Sequence, residues 1–264
     1  MMIDLSGKKL FLFDLDGVFY RGKENPIKIG GTRVIRRIRE RGKRLFILTN
    51  NSTDTVTTIR SNLVNFDIPV KGEEILTSGA LTAEYVAKTY GRATYYLIGE
   101  KGLDEELIKA GLKRTLSAHA DVVILGLDRH LTYSKLDRAA KVVGNGADIV
   151  ASHSAKVYMY KYGPAIAVGP IVKALEYATG RRATVIGKPS PLMFQIALRK
   201  ANCDKRDAVM IGDQVETDIV GARKAGVDSI LVLTGVDKGD GVGGGGRIKP
   251  SSTVSNIDDL ADYI

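Results

Sequence analysis

Short apolar runs alternate with amphipathic stretches along most of the chain. The runs at 9–13, 44–48, 94–98, 121–125, 148–151, 183–186, 208–211 and 229–233 are mostly continuous, not alternating, as expected of strands covered on both faces. Between them, the spacing of apolar positions predicts helices near 31–41, 54–65, 79–89, 103–110, 133–145, 169–179, 191–201 and 216–225. Two of these have readable starts. Ser190-Pro191 offers an N-cap followed by proline at the first helical position, and Tyr133-Ser134 opens another helix. This alternation of strand and helix predicts an α/β protein with a mostly parallel sheet.

Composition narrows the class. At 264 residues, with 44% hydrophobic and 26% charged, the chain is of globular type and long enough for one large domain or two smaller ones. Cys203 is the single cysteine, so no intrachain disulfide forms, which fits a reducing compartment. No run approaches the roughly 20 apolar residues of a membrane span, and the start of the chain is too polar for a signal peptide. The expectation is a cytoplasmic protein with no membrane partner. The net charge of +9, from 39 basic against 30 acidic residues, raises the question of nucleic acid. The basic residues are scattered, however, and no basic block is interleaved with aromatics, so nucleic acid is not expected as a partner. A positive surface field that gathers anionic substrates accounts for the charge. The glycine-rich stretch 239–246 contains a formal GxGxxG at Gly241, Gly243 and Gly246, but Arg-Ile-Lys-Pro follows where a helix is required.

The chemistry lies at the ends of the apolar runs. The first enters Asp14-Leu15-Asp16-Gly17, the second Thr49-Asn50-Asn51, and a late one Gly212-Asp213. Ligands of open parallel sheets bind beyond the carboxyl ends of the strands, so these three ends point to one crevice. Gly187-Lys188-Pro189 adds a lysine just ahead of a helix start, an anion-binding position. Asp14 and Asp213 form an oxygen-rich cradle suited to Mg²⁺, while Lys188, the Thr49 hydroxyl and nearby main-chain N–H groups suit phosphoryl oxygens. Asp16 is placed to protonate a leaving oxygen and then to activate water. Taken singly, each motif also reads as an ordinary turn, loop or helix lead-in. In particular, Gly212 to Asp218 is also a capped helix start with Asp218 in its first turn. Their joint occurrence in fixed order, each at a strand end or helix start, favours function. Because these motifs fall in 9–52 and again in 187–218, a second α/β module inserted into the first is expected.

With Asp14-Leu15-Asp16-Gly17-Val18-Phe19-Tyr20-Arg21-Gly22, Thr49-Asn50-Asn51-Ser52, Gly126-Leu127-Asp128, Gly187-Lys188-Pro189 and Gly212-Asp213-Gln214-Val215-Glu216-Thr217-Asp218, the chain resembles the haloacid dehalogenase (HAD) superfamily. Within it, the chain is similar to the NagD-like or 4-nitrophenylphosphatase-like phosphatases over nearly its whole length. The resemblance implies a Rossmann-like core at 1–77 and 183–264 and an α/β cap at 78–182 that closes over the active site. It also implies hydrolysis of small phosphate monoesters through an aspartyl-phosphate on Asp14. Mg²⁺ would be held by Asp14, the Asp16 carbonyl and Asp213, with Asp218 in support, and phosphate by Thr49, Asn50 and Lys188. A homodimer through the cap is a further implication. Relatives commonly carry Thr-Asn-x-Asp where this chain reads Ala151-Ser152-His153-Ser154-Ala155-Lys156. His153 in this segment, and Asp128 of Gly126-Leu127-Asp128, are candidates for substrate specificity, His153 being equally readable as a packed strand-end histidine. Two other functions use similar residues. A phosphotransferase or mutase would pass the same aspartyl-phosphate to an alcohol. A phospho-accepting receiver domain would place two acids side by side on its first strand, whereas Leu15 separates Asp14 from Asp16.

Overall fold

The continuous apolar runs become buried strands. Leu10–Phe13, Val122–Leu125 and Ala208–Gly212 are buried at every position, and such strands stabilise a sheet only when helices cover both faces. The computed structural model describes residues 3–22, 25–160, 163–237 and 248–264. The glycine-rich stretch and its GxGxxG glycines lie outside them. The chain divides into two compact units, one of Met1–Thr49, Thr57–Leu76 and Pro191–Ile264, the other of Asn50–Val56 and Thr77–Ser190.

The first unit is organised by a six-stranded sheet in the order Ser252–Val254, Asp228–Val232, Ala208–Gly212, Leu10–Phe13, Arg44–Thr49, Ile75–Thr77. The register-defined pairs are all parallel, and Phe13 stands opposite both Ile47 and Ile211. Helix Thr32–Glu40 buries Val34, Ile35 and Ile38 at helical spacing and leaves its arginines toward solvent.

The second unit has a five-stranded parallel sheet in the order Ala183–Val185, Asp148–Ala151, Val122–Leu125, Thr94–Ile98, Lys113–Arg114. One face packs Tyr96, Ile98, Val123 and Leu125 against Ala139, Val142 and Val143 of helix Tyr133–Gly144 and Val168, Val172 and Leu175 of helix Val168–Thr179. Helix Tyr133–Gly144 is capped one residue earlier than Tyr133-Ser134 suggests: the Thr132 hydroxyl accepts from the Lys135 N–H at 3.2 Å.

The eight expected strands and eight expected helices are present to within a residue or two, with one exception in kind. At 216–225 the chain first makes a wide π turn, Val215–Ile219, and only Val220–Ala225 is α-helical. The short strands were not expected. They include the hairpins Tyr20–Arg21 with Ile27–Lys28 and Val157–Tyr160 with Gly163–Ile166, both antiparallel. Ala183–Val185 pairs with Asp148–Ala151 and the Ile186 N–H donates to the Ala151 carbonyl at 3.0 Å, and residues 183–190, expected with the flanking core segments, group with the second unit. Among the described residues no helix is long and apolar enough to cross a membrane.

Candidate active site

In the first unit the chain leaves the central strand Leu10–Phe13 toward Arg44–Thr49 and Ile75–Thr77 on one side. Its later strands, Ala208–Gly212 onward, lie on the other side. Strand order therefore reverses at Leu10–Phe13, and a crevice opens beyond the carboxyl ends at such a reversal. Asp14 follows the central strand directly and extends the ladder, its N–H donating to the Ile211 carbonyl at 2.8 Å. Thr49 is the last residue of its strand and is buried, and Asp213 follows Gly212.

Asp14, Asp213 and Asp218 converge there. Each offers a carboxylate oxygen, these atoms lie within 4.8 Å of one another, and all three residues are buried. Backbone donors fix two of them. The Val236 N–H donates to Asp213 Oδ2 at 2.8 Å, and the Gln214 N–H donates to Asp218 Oδ2 at 3.0 Å. The second bond explains the π turn. The Asp218 carboxylate folds back onto the Gln214 N–H, while the Val215 N–H is taken by Asp237 Oδ2 at 2.6 Å, so the opening turn widens around Asp218 and the distant Asp237. Asp213 is also enclosed by glycine. A Cβ at Gly235 would stand 1.8 Å from Asp213 Oδ2, and one at Gly17 would stand 2.3 Å from it. Gly17 has φ +79°, and its N–H donates to the Tyr20 carbonyl at 2.8 Å, which turns the chain back just after the half-buried Asp16.

Burying three carboxylates together is costly unless a cation or protons offset their repulsion. The donor set is all oxygen and anionic, the set preferred by hard divalent cations. These residues fit a divalent metal.

The remaining candidates belong to the second unit. Lys188 is only 1% exposed. Asn50 Nδ2 donates to the Lys188 carbonyl at 2.9 Å. His153 is buried at the end of Asp148–Ala151, and its Nδ1 accepts from the Ala155 N–H at 3.2 Å, which leaves the neutral ring's proton on Nε2. The Asp128 side chain is buried as well. It accepts from Lys135 Nζ at 2.7 Å and from the His130 N–H at 2.9 Å, bonds that tie together the 128–135 turn. Sequence reasoning missed Gly235, Val236 and Asp237, which hold the Asp213 loop. The Thr234-Gly235 step after an apolar run was the available signal, and it reads as any turn does.

Residues 11–113 match the haloacid dehalogenase-like hydrolase family, and residues 185–260 a HAD-hydrolase-like family. The 5'-nucleotidase YutF of Bacillus subtilis is 31% identical over 97% of this chain and 98% of its own length. The chain belongs to the haloacid dehalogenase-like hydrolases. Within that family it is a NagD-like phosphatase. The acid sugar phosphatase of Staphylococcus aureus (strain USA300) is 34% identical over 86% of this chain and 87% of its own. The 4-nitrophenylphosphatase from Thermotoga maritima superposes with a TM-score of 0.88, at 32% identity and 98% coverage of both chains. That phosphatase thus shares the fold of the chain over nearly all its length.

Proposed function

We propose that the protein hydrolyses small phosphate monoesters with Asp14 as nucleophile and Mg²⁺ as metal. The observation that carries this reading is the buried cluster of Asp14, Asp213 and Asp218 at the point where strand order reverses. The relatives named as a 5'-nucleotidase, an acid sugar phosphatase and a 4-nitrophenylphosphatase support a substrate class of nucleotides, sugar phosphates and similar small esters.

In this mechanism one oxygen of Asp14 attacks phosphorus, the P–O bond to the leaving alcohol breaks, and the phosphoryl group rests on Asp14 as an acyl phosphate. Asp16 donates its proton to the departing oxygen. The resulting carboxylate then takes a proton from water, which attacks phosphorus, frees inorganic phosphate and restores Asp14. The Thr49 hydroxyl, main-chain N–H groups at Asn50 and the Lys188 ammonium bind phosphoryl oxygens and offset their charge. Asp14, the Asp16 carbonyl and Asp213 would hold Mg²⁺, with Asp218 supporting. The bound ion supplies positive charge that lets an anionic nucleophile approach an anionic ester. Residues 78–182 are assigned the role of a cap that selects substrates, His153 being its candidate contact. Asp128, whose carboxylate already serves Lys135 and His130, is assigned to shaping the adjoining turn.

The test is a phosphate-release screen of the purified protein with Mg²⁺ against nucleotides, sugar phosphates, phosphoglycolate and nitrophenyl phosphate. Catalytic release from several of them supports the reading. A single equivalent of phosphate, or none, overturns it.

A further inference from the structure

Asn50 uses its side chain within the second unit. Besides the bond from Nδ2 to the Lys188 carbonyl at 2.9 Å, its own carbonyl accepts from the Ser78 hydroxyl at 2.9 Å, so both ends of the residue are held. Its Oδ1 is buried without a hydrogen bond. That oxygen faces Gly187, where an added Cβ would lie 2.6 Å from it and 2.5 Å from the Ser152 carbonyl. A buried acceptor left unsatisfied is uncommon and costs stability, so a compensating gain is expected in what the other end of the amide does. The loop that receives Nδ2 is itself well bonded. The Gly187 N–H donates to the Ser152 carbonyl at 2.8 Å, and the Ser190 N–H donates to the Gly187 carbonyl at 3.0 Å.

Lys188 is 1% exposed, so packing restricts its long stem and the ammonium position follows the backbone that carries it. Small displacements of a charged group matter at a reacting centre, which needs its partners placed to within a fraction of an ångström. We propose that Asn50 is a positioning residue whose amide sets the Lys188 backbone, and through it the Lys188 ammonium. The inference rests on the reading above, in which Lys188 binds the phosphoryl group. It adds that the Asn50 side chain acts through Lys188 and not by its own bond to phosphate.

Coupling decides between these. Wild type, Asn50→Ala, Lys188→Ala and the double variant are compared for kcat/KM on nitrophenyl phosphate, inhibition by inorganic phosphate, and amide exchange at Gly187 and Ser190. Loss of one neutral hydrogen bond should lower kcat/KM and weaken phosphate inhibition about fivefold in the wild-type background, and under about twofold where Lys188 is already alanine. Exchange at Gly187 and Ser190 should quicken in Asn50→Ala by a similar factor. Asn50→Asp, which keeps the shape and loses the donor, should lose at least as much. Equal losses with and without Lys188 would overturn the proposal, as would unchanged exchange or wild-type kinetics in Asn50→Ala. A wild type that releases no phosphate from any ester refutes the phosphatase reading by itself. The exchange comparison still decides the Asn50–Lys188 tie in that case, and unchanged rates overturn it.

Discussion

In the first unit the strands Leu10–Phe13, Arg44–Thr49 and Ala208–Gly212 finish at Asp14, Thr49 and Asp213. In the second, Val122–Leu125, Asp148–Ala151 and Ala183–Val185 run into Gly126, Ser152-His153 and Gly187-Lys188. Both are parallel sheets whose central strands are buried and apolar. The first gathers three carboxylates into one buried cluster. In the second, the nearby acids are already engaged. Glu100 accepts from Arg129 Nε and from a terminal guanidinium nitrogen at 2.7 Å each, and Asp128 is bonded to Lys135. The same architecture thus yields an end with three clustered carboxylates in one unit and an end with glycine, serine, histidine and lysine in the other. Function follows from the residues at the strand ends and not from the fold.

The contrast breaks first if metal is irrelevant. Chelation should reduce turnover to background, Mg²⁺ should restore it, and Ca²⁺ should support it poorly because its looser oxygen shell tolerates a misplaced attacking carboxylate. Full activity in chelator, with no metal found by elemental analysis, would remove the distinction between the units. Next in size is Asp16→Asn. It should slow alkyl phosphate hydrolysis about 10²–10⁴-fold, as loss of a general acid does. Nitrophenyl phosphate should suffer much less, since its leaving group needs little protonation. Equal losses on both esters would argue that Asp16 is not the acid.

Two glycine substitutions sharpen the comparison. At Gly235 an added Cβ meets Asp213 Oδ2 at 1.8 Å, whereas at Gly126 it meets the tip of Leu103, Cδ2, at 2.5 Å. Gly235→Ala should displace a metal ligand and weaken metal binding together with turnover. Gly126→Ala should cost about 1–3 kcal/mol in denaturant unfolding, as overpacking does, with metal affinity unchanged. Metal titration and urea melts of both variants check this; a reversed pattern contradicts it. The smallest effects are expected at His153 and Asp128. His153→Ala should re-rank kcat/KM across a substrate panel by about 1–3 kcal/mol for esters that reach it, and leave nitrophenyl phosphate nearly unchanged. Asp128→Ala should act mainly on stability, because it removes the acceptor of two hydrogen bonds. Uniform loss over every ester in His153→Ala would assign it to the catalytic centre instead.

Much of this was legible in the sequence because the central strands are continuous apolar runs that stop abruptly at acids. Leu10–Phe13 into Asp14 and Ala208–Gly212 into Asp213 follow directly from burial on both faces. Hairpins such as Tyr20–Arg21 with Ile27–Lys28 are too short to show a period. The π turn at Val215–Ile219 arises from the fold-back of Asp218 and from Asp237, a contact across 22 residues. Likewise, nothing local marks Val236 as the donor that fixes Asp213, or Lys188 as the acceptor for the Asn50 amide. Those are long-range pairings, visible only once the sheets are assembled.

Asp14 is the central claim, and its chemistry can be observed directly. Wild type and Asp14→Asn are mixed with a good substrate and Mg²⁺, quenched in acid within a turnover, and digested for peptide mass spectrometry, with phosphate release followed in parallel. The account predicts a hydroxylamine-labile phosphoryl group on the wild-type peptide that contains Asp14. In folded Asp14→Asn it predicts no such adduct and a rate at least about a thousandfold lower, since an amide oxygen is a poor nucleophile. Near wild-type release from Asp14→Asn, or an acyl phosphate found on another aspartate, would contradict it.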